Sequence, residues 1–134
     1  MCLKVNENYL PPKEPARRYK LVRVLGKNMF GPSLRGEATQ YVLNESMTKA
    51  HNDYYYVDYK GYHVYVSLKE AIKDAALWRE PNHLLHKCHS AILLVECTNF
   101  VAGGDTYGFP SVPSEIWRTV KPLRVLRRYK PSSA

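Results

Sequence analysis

Long apolar runs are missing from this chain of 134 residues, which excludes a helical membrane span. Crossing a bilayer takes about 18 consecutive apolar residues, and the longest run here, Ala91-Ile-Leu-Leu-Val95, is strand-sized. The first residues, Met-Cys-Leu-Lys-Val, lack the apolar centre of a secretory signal, so the expected compartment is the cytoplasm. Cysteine is scarce as well. Cys2, Cys88 and Cys97 are an odd count without framework spacing, which reads as reduced thiols rather than a disulfide scaffold. There is no internal repeat and no Gly-x-x-x-x-Gly-Lys-Ser/Thr phosphate loop, so Gly103-Gly104 is not one. Ser111 and Ser114 lack the setting of a nucleophile elbow.

Acids are also in deficit. Twelve Asp and Glu face twenty Lys and Arg, for a formal net charge of +8. The surplus gathers near both ends: Lys13, Arg17, Arg18, Lys20 and Arg23, then Arg118, Lys121, Arg124, Arg127, Arg128 and Lys130. If the terminal segments pair in one sheet, these cations join into a single positive face that attracts phosphates over long range. Tyrosine is abundant where glycine is not. Tyr54, Tyr55, Tyr56, Tyr59, Tyr62 and Tyr65 fall within one short stretch. Rings with a polar tip beside cations suit a flat anionic ligand, although tyrosine is equally a strand former and core filler.

A hydrophobic content of 45% supports a packed core, and the length suits one domain over residues 1–134. Pro11, Pro12 and Pro15 make residues 1–16 an extended arm, and residues 131–134 read as a loose tail. Strands are expected at Tyr19–Leu25, at Thr39–Leu43, at Tyr54–Tyr59 and, after a turn at Lys60-Gly61, at Tyr62–Val66. Ser67-Leu-Lys-Glu70 matches a capping box, and Leu68, Ala71, Ile72, Ala75 and Trp78 follow at helical spacing. Ala91–Thr98 reads as a central strand covered on both faces. Val101–Pro113 reads as a Gly/Pro-rich loop, and Glu115–Val120 and Leu123–Arg128 as strands split at Lys121-Pro122. The order predicts an α+β fold: a largely antiparallel sheet packed against one main helix in a single compact domain.

Met-Cys-Leu-Lys, Gly61-Tyr-His-Val-Tyr65 leading into the helix, and Ala91-Ile-Leu-Leu-Val-Glu96 together resemble small uncharacterised phage and bacterial proteins. The resemblance covers about half the chain. It implies a prokaryotic or phage source and favours a small anti-defence protein, with no assigned chemistry. A second resemblance, over Gly61–Ala76 and Ala91–Glu96, is to ADP-ribosyltransferases. It implies a Gly-aromatic strand, a helix and an apolar strand near a nicotinamide site. Only Arg23 is available for the first-strand position such enzymes fill with His or Arg, and it fits the Arg-type subgroup alone. No catalytic acid motif is evident, and Glu115 lies late enough in the chain to be considered.

The remaining constellations are weaker. His83, His86, Cys88 and His89 have zinc-ligand chemistry but no standard ligand spacing, so no metal is expected. His63 and Glu96 are polar residues on apolar strands and form an acid/base arrangement if those strands pair, or otherwise a structural pair. Cys2 becomes a nucleophile only if Met1 is removed. The expected ligand position is the N-terminus of the helix, reached from His63, Tyr65 and Ser67, where free N–H groups favour an anion. The predicted ligand-binding set is Arg17, Arg18, Arg23, Tyr56, His63, Tyr65, Ser67, Trp117 and Arg118, with no catalytic residues and no cofactor. The expected function is non-enzymatic capture of a nucleotide-like or other phosphate-bearing small molecule. Inhibition of a host protein, nucleic-acid binding and transferase activity are the alternatives.

Overall fold

Alternation along three long strands organises this fold. A computed structural model of the protein describes residues 3–32, 40–48, 61–83, 85–106 and 111–131. The elements in chain order are β1 (Leu3–Val5), β2 (Ala16–Gly26), β3 (Met29–Pro32), β4 (Tyr41–Val42), β5 (Met47–Thr48), β6 (Tyr62–Tyr65), α1 (Leu68–Trp78), β7 (Ser90–Thr106) and β8 (Pro113–Tyr129). Every pairing is antiparallel, and the strands run in the order β1-β7-β8-β6-β2-β3-β4, with β5 added to β8. β7 also pairs with β2, so β7, β8, β6 and β2 close a ring. The closure between β6 and β2 is narrow, a single Tyr19–Tyr65 pair.

One core fills the inside of this ring. Ala16, Val22, Ala91, Leu93, Val95, Cys97, Tyr62, Val64 and Trp117 pack there with Phe30 and Tyr41. The opposite face of β2 and β7 carries Leu21 and Ile92, and α1 covers it with Ala71 and Ala75. That two-sided burial explains why Ala91–Val95 is apolar without alternation. Leu3, Ala102 and Ile116 form a third small cluster under the N-terminal strand.

The structure corrects the α+β expectation: the described residues are 57% strand and 10% helical, a β-rich fold with one short helix as a cover. Two local features account for the difference. The stretch after Val101 is strand up to Thr106, because Gly103 and Gly104 leave room for chain that crosses directly above them. β8 is also one continuous strand. Pro122, opposite Val95, lies where the register shifts between Leu94 and Val95, and an irregular ladder tolerates its missing N–H. Tyr54–Tyr59 and Lys60 lie outside the described residues.

The helix begins where the sequence placed it. Ser67 has an extended backbone and its hydroxyl accepts from the Glu70 N–H at 3.3 Å. Replacing Ser67 by alanine orphans that donor and is expected to cost about 1 kcal/mol. Urea denaturation would read this as a lower midpoint with an unchanged slope.

Candidate functional site

The alternation of β2 sends two cations inward. Ala16 and Val22 belong to the ring core, so Arg18 and Lys20, at even positions between them, share their face. Lys20 is buried, donates to the His63 carbonyl at 2.7 Å, and lies 5.3 Å from the centre of the Tyr41 ring. Arg18 meets Glu115, whose side chain is 0% exposed. The guanidinium donates from Nε to Oε1 at 2.5 Å, and a second contact runs from Nη2 to Oε2 at 3.4 Å. Trp117 Nε1 donates to the same carboxylate at 2.9 Å, and the Tyr9 hydroxyl donates to its other oxygen at 2.5 Å.

Tyr9 reaches this carboxylate from the N-terminal arm. β1 pairs with Gly104–Thr106, Asn6 N–H continues to the Gly103 carbonyl, and the Tyr9 ring then lies on Gly103 and stacks on Phe100 with centroids 5.8 Å apart. Further along the arm, Glu14 accepts from the Asn99 N–H at 2.6 Å. The buried charge is therefore compensated by three donor residues, from β2, β8 and the N-terminal arm, as the cost of desolvating a carboxylate demands. A second polar network lies under the helix, where Tyr65 and Trp78 both donate to the buried Asp74.

These groups resist ionisation. Burial, then the bond to Glu115, pushes the Tyr9 phenol far above its ordinary range. Burial, then the Asp74 charge, does the same to Tyr65. Burial likewise pushes the Cys97 thiol up to about 12. A raised folded-state value means the unfolded chain ionises first as pH climbs. Stability is thus fully present below pH 9.0, ordinary for a thiol, and is lost as pH rises towards about 12. Denaturation midpoints measured from pH 8 to pH 11 are expected to fall steadily, and Cys97→Ala to flatten part of that fall.

The predicted residues are dispersed. Arg18 and Trp117 come together, on Glu115. Tyr65 is turned inward to Asp74, and Ser67 is occupied as the helix cap. His63 is half-buried on β6 opposite Ile116. Arg17 and Arg118 are exposed on β2 and β8, Arg23 donates to the Pro32 carbonyl at 2.7 Å, and Tyr56 lies outside the described residues. β2 and β8 do not pair with each other among the described residues; β7 runs between them. His63 and Glu96 stand on strands, β6 and β7, that show no pairing there. No group of three His, Cys, Asp or Glu residues suited to a metal ion occurs among the described residues.

A different cluster emerges where the β7–β8 hairpin meets the end of the helix. Ser90 and Tyr129 are opposite each other at the last pair of the ladder, and Arg23 is the β2 neighbour of Ser90. Arg79, which caps the helix, places its guanidinium carbon 4.1 Å from the Tyr129 ring centre, and Arg127 lies 6.0 Å from it. Arg128 faces the other side, 6.0 Å from the Phe30 ring. Arg79 complements the negative helix end, a structural role in its own right. Arg127 is one of the terminal cations of the sequence, but nothing local joins it to Arg79, Ser90 or Tyr129: the hairpin register and the packing of the helix end on it do so.

No helix among the described residues is long and apolar enough to cross a membrane. Compared with known proteins, the chain matches no family model, no curated protein and no solved structure.

Proposed function

We propose that the protein is a non-enzymatic receptor for a phosphate-bearing, nucleotide-like ligand. The observation that carries this reading is the uncompensated arginine group around Tyr129. Beyond Glu115 the chain contains no acid, while Arg118, Lys121, Arg124, Arg127, Arg128 and Lys130 all follow it. Among the described residues the Arg18–Glu115 contact is the only ion pair, so neither Arg79 nor Arg127 has a carboxylate partner there. Guanidinium groups held against an aromatic ring are oriented donors, and phosphate is the anion that their fork geometry fits in pairs. The inward carboxylate of Glu115, satisfied on all sides, supports a structural role for that residue rather than a catalytic one. In a phage or prokaryotic setting, the same chemistry fits sequestration of a signalling nucleotide.

Calorimetry against a panel of linear and cyclic nucleotides tests this reading. Saturable one-to-one heat for at least one of them is expected. Silence across the panel at high micromolar concentration, together with tight, steeply salt-dependent binding of RNA or DNA, would replace it with nucleic-acid binding.

A further inference from the structure

Two hydroxyls beside these arginines have no hydrogen-bond partner among the described residues. Among the described residues, Ser90 Oγ and Tyr129 Oη are buried atoms without a hydrogen bond. Ser90 is 0% exposed. Leaving a buried hydroxyl unpaired is destabilising, so an orphan of this kind calls for an occupant. Here there are two, on directly opposed residues, and Arg79 and Arg127 lie against the ring of the second.

We infer that this corner seats the phosphoryl end of a phosphomonoester, with Ser90 and Tyr129 donating to its oxygens and Arg79 and Arg127 balancing its charge. The inference rests on the receptor reading above and names the atoms that would perform it. The donor set suits a terminal phosphate better than a bridging one. Ser90 stands on β7, Tyr129 and Arg127 on β8 and Arg79 at the helix end, and a monoester offers three terminal oxygens and up to two charges. A carboxylate would leave part of that set unused. Because the hydroxyls are enclosed, entry requires a side chain to move. Arg79 is half-buried, long, and held to the ring without an ion pair among the described residues, which makes it the movable one. The alternative occupant is a buried water bridging the two hydroxyls.

Calorimetry with nucleoside 5′-monophosphates, inorganic phosphate and the unphosphorylated nucleosides, on wild type and on Ser90→Ala, Tyr129→Phe and Arg79→Gln, decides it. Expected are binding of a monophosphate by wild type, none of its nucleoside, and affinities roughly 10- to 100-fold weaker in the variants. Retained melting temperatures in Ser90→Ala and Tyr129→Phe keep the comparison fair. Equal affinity in wild type and all variants would overturn this seat while leaving the receptor reading intact, and would assign the hydroxyls to water. Failure of the monophosphates and inorganic phosphate to bind wild type would overturn this seat, and the receptor reading falls with it only if the panel of linear and cyclic nucleotides is silent as well.

Discussion

Arg18→Met is expected to cost about 3–5 kcal/mol, because it strands a buried carboxylate without its cation. Glu115 is fully buried, and Arg18 is its ion-pair partner. Methionine keeps much of the apolar stem, so lost packing contributes little and the result isolates the charge. Tyr9 and Trp117 would remain as donors, but two neutral hydrogen bonds do not replace a guanidinium in a poorly solvated interior. A loss of this size is a large part of a typical total of about 5–15 kcal/mol, so the variant should unfold at markedly lower urea. The double variant Arg18→Met with Glu115→Gln should recover more than half of it. The amide has no charge to strand: its Oε1 still accepts from Trp117 Nε1, and its NH2 donates to the Tyr9 hydroxyl, which accepts. If Arg18→Met alone costs less than about 1 kcal/mol, the carboxylate is in contact with water and the closed core is wrong.

The same residues show where sequence reasoning stopped. The helix was legible because its signals are local: Ser67 and Glu70 lie three positions apart, and Ala71 and Ala75 four. The apolar strand after Ser90 was legible for the same reason. What remained hidden depended on register. Arg18 looked like one more exposed cation beside Arg17. Only the pairing of β2 with β7 shows that the two point to opposite faces and that Arg18 enters the core. Tyr9 and Glu115 are 106 positions apart, and nothing local joins them. The glycines at 103 and 104 conceal their role for a related reason. In isolation they signal a loop, and they became strand because another segment needs the space above them. The candidate phosphate seat repeats the pattern, since Arg79 and Tyr129 meet only through the packing of a helix end on a hairpin end.

Those two glycines should separate sharply when each is changed to alanine. At Gly103 the added methyl would lie 2.5 Å from a carbon of the Tyr9 ring, which is a side chain and can rotate away. The cost is then the Tyr9–Glu115 bond and the stack on Phe100, about 1.5–3 kcal/mol for a hydrogen bond to a charged group. At Gly104 the methyl would run into backbone: the Lys4 carbonyl, and the Asn6 nitrogen at 3.0 Å. Backbone cannot rotate aside, so β1 must leave β7. That surrenders the pairs Leu3–Thr106, Lys4–Asp105 and Val5–Gly104 and draws Leu3 out of its cluster with Ala102 and Ile116. Exposing one leucine alone costs about 1.5–3 kcal/mol, so Gly104→Ala should be the more damaging change. Hydrogen exchange is expected to show fast amides at residues 3–6 in Gly104→Ala and protected ones in Gly103→Ala. A double-mutant cycle supplies the complementary test. If alanine at 103 has already displaced the ring, adding Tyr9→Phe should cost almost nothing further, and the two losses will fail to add. Additive losses would mean that Tyr9 still holds Glu115 over a substituted Gly103, and that the close approach of the arm to β7 is not what these glycines serve.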